Sequence, residues 1–492
     1  MAVSRSRASA LGRRPAATPA TSTDVHPTTP SAVAGLDLHL ERPGGRVRDS
    51  VMDAIRDAIR TGRLVTGTRL PSSRALAADL GVARNTVARA YAELIAEGWL
   101  SAHQGSSTLV SQRAAEVVRS VAAPPTRQAL RRLDHDLRPG HPDLSSFPRA
   151  DWSRAVTRAL NAAPFEAFGY ADPHGRPELR HAVAQYLARA RGVRAQPCNI
   201  IVCSGAAEGL SLLAGALANA GVAAVAVEEF GLPAQRASLT KAGLRCPPLA
   251  VDFHGADVMA LEGMAEVGGV LLTPSHQFPL GVSLHSDRRA AVIDWARRTG
   301  GAIIEDDYDG EFRYDRSPVG ALQGVDPEHV VYLGTVSKSL APGLRLGWLV
   351  LPGRLVEAVA RQKGETEETC GFVEQLAMAE FIGSGSYDRH IRTMRAQYRR
   401  RREQLVAAVV RSSPKTAVSG MPAGLHVMLE ELGADESALS RHLAWRRLGV
   451  ESLDLYRHPE TDSGRDGLVV GFAAPAPSAW SAALDALIRL LP

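Results

Sequence analysis

Six short runs of the chain are apolar almost throughout and rich in β-branched residues: NIIVCSG, GVAAVAVEE, GGVLLTP, GAIIEDD, HVVYLGTV and LRLGWLVL. A strand wetted on one face alternates apolar and polar positions, whereas one covered on both faces does not. Segments between these runs, such as SDRRAAVIDWARRTG, space their apolar residues at helical period. Strands alternating with helices of ten to fifteen residues predict an α/β domain with a mostly parallel sheet, extending over residues 137–492.

The pattern differs before that point. SRALAADL predicts a short helix capped by Ser72 or Ser73 and stopped at Gly81, and a second helix runs from about Arg84 to Glu97. In the second helix Val87, Ala90, Tyr91, Leu94 and Ile95 recur at i, i+3, i+4, i+7 and i+8, which makes one buried stripe. Arg84, Asn85, Thr86 and Arg89 gather at its start and open face. A helix, a tight glycine turn and a second helix with a polar amino end form a helix-turn-helix, whose second helix enters the major groove of DNA. WLSAHQGSSTLV predicts a hairpin wing, and SVMDAIRDAIRTGRLVTGTRLPS a supporting amphipathic helix. Arg69, Ser72, Arg74 and the wing tip at Gly105 are then placed for phosphates, contacts that position a protein without reading sequence.

Charge sharpens this division. Residues 1–134 hold 19 arginines against 11 acidic residues, while the rest of the chain is mildly acidic, although the net charge of the whole is only +5. A basic first quarter predicts a polyanionic partner there. Residues 1–37, rich in Pro, Ser and Thr, read as a disordered basic tail; 38–112 as the DNA-binding domain; and 113–136, with Pro124 and Pro125, as a linker. The four cysteines have no C-x-x-C spacing, which points to a reducing compartment and away from structural zinc. The first thirty residues have no apolar core of the kind an export signal needs, so a cytoplasmic bacterial protein is expected, associated with the nucleoid when bound to DNA. The uncharged run Leu210–Val227 is long enough for a bilayer, but its Ala and Gly content and Asn219 predict a buried helix followed by a buried strand.

Only four of the 57 basic residues are lysines, and Lys338 sits in YLGTVSKSLAPGLRLGWLVLP, on a turn with Thr335, Ser337 and Ser339, seven residues before Arg345. Hydroxyls and a guanidinium suit a phosphate, and the amine suits a carbonyl, so the turn is built for a phosphorylated aldehyde. An arbitrary lysine in a polar loop is more often a surface residue; the upstream GAIIEDDYDGEFRY argues otherwise. It ends a buried strand in acids, and a carboxylate there can pair with a protonated pyridine nitrogen, with Tyr308 beside the ring's phenolic oxygen. A metal site is the alternative use of these acids, but no His or Cys stands at ligand spacing.

TGTRLPSSRALAADLG with NTVARAYAEL resembles the winged helix of the GntR superfamily, and the later motifs resemble the pyridoxal-phosphate domain of fold type I aminotransferases with its smaller C-terminal lobe. Together the chain resembles MocR-type transcriptional regulators. Ala83 departs from the pattern, standing where a serine is common; Asn85 or Thr86 can replace its hydroxyl. The resemblance implies pyridoxal 5'-phosphate as cofactor, Lys338 as the Schiff-base lysine and Arg345 as a phosphate ligand. It implies Asp306 as the pyridine partner, with Glu305 or Asp307 as alternatives of register, and Tyr308 at the ring oxygen. VCSGAAEGL resembles the phosphate-holding turn, through Gly205, Ala206 and Ala207. TPSHQFPLG, with His276 and Gln277, resembles the segment beside the ring oxygen. FGYADPHGRPELR implies that Tyr170 reaches the phosphate of a neighbouring subunit, hence a homodimer, domain-swapped or head-to-tail. Leu232 stands where an aromatic ring commonly stacks on the cofactor, with Phe230 as a possible substitute. Glu451 stands where a basic residue for a ligand carboxylate is expected, and DGLVVGFAAP contains no arginine. The expected function is a regulator that senses pyridoxal phosphate, an amino-compound effector, or both, in vitamin B6 or amino-acid metabolism. The alternatives are an active aminotransferase with a DNA-binding appendage, and a domain that has lost the cofactor and only dimerises.

Overall fold

The computed structural model describes residues 47–60, 63–103, 107–111, 133, 135–170, 172–314, 319–366, 370–430 and 448–491. The tail, the wing tip at Gly105 and nearly all of the linker lie outside these. The chain divides into two compact units, Met1–Leu130 and Arg131–Pro492.

In the first unit, α1 (Val47–Arg60), α2 (Ser73–Leu80) and α3 (Arg84–Ala96) pack beside a three-stranded sheet of β1 (Arg69–Leu70), β2 (Leu100–His103) and β3 (Ser107–Val110), in the order β1-β3-β2. Ser72 Oγ accepts the Ala75 amide proton at 3.2 Å and so caps α2, and Gly81, at φ 65°, ends it in the left-handed conformation. The apolar stripe of α3 is buried at Val87, Ala90, Tyr91 and Leu94, with Ile95 half-buried. These side chains meet Val51, Ile55 and Leu76 in one core, where truncating Leu94 to Ala would cost about 2–5 kcal/mol.

The second unit is built on a seven-stranded sheet. Its strands are β4 (Ile200–Cys203), β5 (Ala224–Glu228), β6 (Pro248–Leu249), β9 (Val267–Leu272), β10 (Ala302–Asp306), β11 (Val330–Thr335) and β12 (Gly347–Val350). β7 (Val251–Asp252) and β8 (Gly255–Ala256) form a separate small hairpin. The order is β4-β12-β11-β10-β9-β5-β6, with β12 alone antiparallel to its neighbours. All six apolar runs are strands of this sheet. Their lack of alternation has a direct cause: along β10, Ala302 and Ile304 enter one core cluster while Ile303 enters another on the opposite face. Along the chain come α4 (Arg149–Ala162), α5 (Pro177–Arg191), α6 (Ala206–Asn219), α7 (Pro233–Lys241), α8 (Ser286–Thr299), α9 (Gly353–Thr366), α10 (Phe372–Gly383) and α11 (Ser386–Ser412). The Leu210–Val227 run is divided between α6 and β5, and no helix among the described residues is long and apolar enough to cross a membrane.

α11 leads into the smaller lobe, a four-stranded antiparallel sheet of β13 (Ala417–Ser419), β14 (His426–Glu430), β15 (Glu451–Ser452) and β16 (Leu468–Gly471), ordered β13-β14-β16-β15, followed by α12 (Trp480–Ile488). In the large sheet, two registers align the strand ends. Thr335 of β11, Gly347 of β12 and Cys203 of β4 lie side by side, and Asp306 ends β10 opposite Leu333 of β11.

Candidate functional site

On the first unit the arginines divide into paired and unpaired groups. Arg48 pairs with Asp49 and Glu93, Arg56 with Asp53 and Glu97, and Arg63 with Asp57. Arg69, Arg74, Arg84 and Arg89 are exposed and have no ion pair among the described residues. Asn85 is exposed and Thr86 half-buried beside them. Ala83, at the cap position of α3, offers no side-chain bond to the first-turn amides; Thr86 N donates to the Ala83 carbonyl at 2.9 Å, and the amides of Arg84 and Asn85 before it have no side-chain cap. Unpaired guanidinium groups and uncapped helix amides can bind a phosphate backbone without breaking internal ion pairs.

On the second unit the carboxyl ends of the parallel strands open into a cavity of about 360 Å³. Val227 and Glu228 come from the end of β5, Leu271 from β9 and Asp306 from β10; Thr273, Tyr308 and Lys338 follow their strands. Of the three acids at the end of β10, Asp306 alone lines the cavity. The strand alternates, so its neighbours turn the other way. Glu305 accepts the amide protons of Leu322 (2.9 Å) and Gln323 (3.0 Å), and Asp307 meets Arg191 at 2.6 Å and Tyr332 at 2.8 Å. Asp306 Oδ2 accepts from Gln235 at 2.6 Å, while its Oδ1 is buried without a hydrogen-bond partner. Burial pushes the Asp306 carboxyl up to about 7. An orphaned, buried carboxylate oxygen on a residue that lines a cavity is costly unless something donates to it.

The Lys338 amine lines the same cavity. Burial lowers its pKa, against the pull of the Asp306 and Asp309 carboxylates, and so favours the neutral nucleophile. Gly140 crosses beside it at φ 71°, and a Cβ on that residue would sit 3.3 Å from Lys338 Nζ. The turn around the lysine is held from within: Thr335 Oγ1 accepts from the Ser337 amide at 3.1 Å and lies 2.9 Å from Ser337 Oγ. Thr335 is thereby buried and committed to the turn, whereas Ser337 is half-buried. Ser339 is anchored by the Tyr387 hydroxyl at 2.8 Å.

The Thr335–Gly347–Cys203 register brings this turn beside the amino end of α6. There Gly205 adopts φ 100° and supplies no side-chain cap, so the first amides of the helix, from Ala206 and Ala207, lack one. Arg345 is exposed, without an ion pair among the described residues, and holds the left-handed conformation at φ 52°, rare for a non-glycine residue. Burial raises the pKa of the nearby Cys370 thiol, with the Arg345 charge a minor opposing pull, and the Cys370 sulfur is 3.5 Å from Ser204 Oγ at the start of that helix. Guanidinium, serine hydroxyl and helix amides on adjacent strand ends make an anion-binding set.

Other predicted residues are placed differently. Tyr308 lines the cavity, with its hydroxyl 3.0 Å from His276 Nδ1, and His276 is itself 2.8 Å from Asp309. His276 is buried with Nε2 unpartnered, and it is not among the cavity-lining residues. Gln277 points away: its amide donates to the Phe230 and Phe278 carbonyls at 2.8 and 2.7 Å and accepts from Leu280 N, so it fixes a loop. Leu232 lines the cavity, whereas Phe230 is fully buried under the Arg457 guanidinium and supplies no substitute ring. Tyr170 is fully exposed. Glu451 lines the cavity and accepts from the Tyr456 hydroxyl. Sequence reasoning missed Glu228, Gln235, Gly140, His141 and Tyr456. Glu228 ends an apolar strand just as Asp306 does, so the same strand-end logic finds it. No local pattern separates Gln235 from a surface glutamine.

Comparisons with known proteins agree with this division. Residues 47–110 match the model of bacterial regulatory proteins of the gntR family, and residues 144–450 match aminotransferase class I and II. The chain is 31% identical to "Probable rhizopine catabolism regulatory protein MocR" of Rhizobium meliloti, over 88% of this chain and 92% of that one. It is 32% identical to the HTH-type pyridoxine biosynthesis transcriptional regulator PdxR of Corynebacterium glutamicum, over 86% of this chain and 91% of that one. Among solved structures, an archaeal alanine:glyoxylate aminotransferase superposes with a TM-score of 0.65 at 23% identity, covering 77% of this chain and 93% of that one. The second unit therefore has the fold of class I and II aminotransferases. The chain belongs to the MocR-type family, DNA-binding transcriptional regulators that join a GntR winged helix to an aminotransferase-like domain.

Proposed function

We propose that this regulator binds pyridoxal 5'-phosphate in the cavity of its second unit and that occupancy, alone or with an amino-compound effector, governs its grip on DNA. The observation that carries the reading is the buried, partnerless Asp306 Oδ1 in the same cavity as the Lys338 amine. A protonated ring nitrogen would satisfy that oxygen and stabilise the carboxylate that burial penalises. The cofactor would supply an aldehyde for covalent attachment to an amine and a ring that draws electrons from it.

The protein's residues have distinct tasks in this reading. Lys338 presents an amine whose neutral form burial favours; Asp306, steadied by Gln235, would hold the proton on the ring nitrogen; and Leu232 would offer the ring an apolar wall without a π-face. The amides of Ala206 and Ala207, Ser337 and Arg345 receive the phosphate, with Thr335 shaping their turn and Tyr170 arriving from a second copy in a homodimer. The first unit takes double-stranded DNA through Arg84, Asn85, Thr86 and Arg89, with Arg69, Ser72 and Arg74 on phosphates. Ligand binding shifts the population of DNA-binding arrangements through the connecting residues. The names of the relatives, with pyridoxine biosynthesis in one and rhizopine catabolism in the other, mark vitamin and amino-compound circuits as the two kinds to test, in a cytoplasmic setting.

The test is reduction of cofactor-saturated protein with borohydride followed by peptide mass spectrometry. The expected adduct lies on the peptide containing Lys338 and is absent from Lys338→Ala. An adduct confined to another lysine, or none after saturation, overturns the proposal.

A further inference from the structure

The part of the cavity wall that Glu451 and Tyr456 supply has an electrostatic character of its own. Glu451 opens β15 opposite Val469 of β16, a strand that is apolar along its length. Its Oε2 accepts from the Tyr456 hydroxyl, and its Oε1 has no hydrogen-bond partner among the described residues. The nearby cations are already engaged. Arg138 is bidentate on Asp136, at 3.0 and 2.7 Å. Arg236 donates at 3.1 Å to each of three backbone carbonyls, those of Gly231, Tyr456 and Arg457. His141, the remaining basic side chain lining the cavity besides Lys338, is disfavoured as a cation by burial and by Arg138. Glu228, another acid of the cavity, accepts from Thr273 and Gln277 through Oε2 only. Glu451 is thus a half-buried carboxylate with an open oxygen, in a wall that offers a ligand no uncommitted guanidinium.

We infer that the effector carries a cationic amino group that docks on this part of the wall, bound by Glu451, so that the regulator selects diamine-like compounds over amino acids. The inference rests on the proposed cofactor site and names the ligand class of that site. A ligand carboxylate placed here would meet the Glu451 carboxylate, like charge against like, and the lone pairs of a Tyr456 hydroxyl whose proton is already given to Glu451, whereas an ammonium gains a charge-assisted hydrogen bond. Arg236 marks the competing outcome, because a carboxylate could bind only by drawing its guanidinium away from those carbonyls.

The experiment uses cofactor-loaded full-length protein and three ligands that share one chain: 1,5-diaminopentane, 1-aminopentane and 5-aminopentanoate. Binding is read by calorimetry, and cofactor uptake by absorbance in the same samples. The diamine should bind at least about tenfold more tightly than either companion, as expected when one charged hydrogen bond is gained. Glu451→Gln should remove that margin, and Glu451→Arg should turn the preference toward 5-aminopentanoate. Wild-type protein that takes up no cofactor overturns the site reading and this inference with it. Protein that takes up cofactor yet binds 5-aminopentanoate as tightly as the diamine overturns the inference alone, as does a diamine margin that survives Glu451→Gln.

Discussion

Gly140 joins two constraints that substitution can separate. Its φ of 71° disfavours any L side chain by roughly 1–2 kcal/mol, and its missing Cβ leaves room for the Lys338 amine. Gly192 shares the first constraint, at φ 70°, but has open space where its Cβ would stand. Both Gly140→Ala and Gly192→Ala should therefore lower the melting temperature, and only Gly140→Ala should also weaken cofactor uptake, measured by absorbance titration. Equal cofactor affinity in the two variants would show that Gly140 serves the backbone alone. At this scale the sequence told Lys338 from an ordinary surface lysine by its company of hydroxyls and upstream acids. It favoured Asp306 by resemblance but left Glu305 and Asp307 open, because one residue of strand register exchanges the cavity for the opposite face. The direction of Gln277 was hidden for a related reason: its partners are backbone carbonyls of its own loop and of a strand end nearly fifty residues away, which no local pattern encodes.

Elements were legible where both faces of a strand, or one face of a helix, are buried by a repeating pattern. The six long strands and the stripe of α3 qualify. β6 and β15, each of two residues, carry too few positions to show a period, and β15 is the strand that delivers Glu451. The helices of the first unit also make a prediction about charge. Arg74, Arg84 and Arg56 are all arginines, but Arg56 is bound to Glu97 and Asp53 whereas the other two are unpaired among the described residues. Replacing any one by Ala changes net charge equally, so long-range attraction to DNA falls equally. Counterion release differs, because only a residue that touches phosphate contributes to it. On a mixed-sequence duplex, Arg74→Ala and Arg84→Ala should each reduce the slope of log affinity against log salt by about 1, while Arg56→Ala leaves it unchanged. Identical slopes in all three variants would dissociate the α2–α3 face from DNA.

At the scale of the whole molecule the decisive residue is Tyr170, an aromatic side chain left fully exposed in a single copy of the chain, close to exposed Phe165 and Phe168. Exposed aromatic side chains that cluster in one short segment favour burial against another surface. In the proposed homodimer that surface is a second copy, and Tyr170 completes the phosphate site of its partner, so neither subunit holds a whole site alone. This arrangement predicts complementation. Tyr170→Phe should weaken cofactor binding about tenfold or more by deleting a hydrogen bond to a charged group, and Lys338→Ala should abolish covalent attachment. When the two variants are unfolded together and refolded as a mixture, each mixed dimer pairs an intact Lys338 from one chain with an intact Tyr170 from the other. A population of tight sites should then return that neither variant shows alone, read as borohydride-fixed cofactor at a concentration too low to load Tyr170→Phe. If Tyr170 instead served its own subunit, every Lys338-bearing chain in the mixture would still lack the hydroxyl, and no tight population would appear.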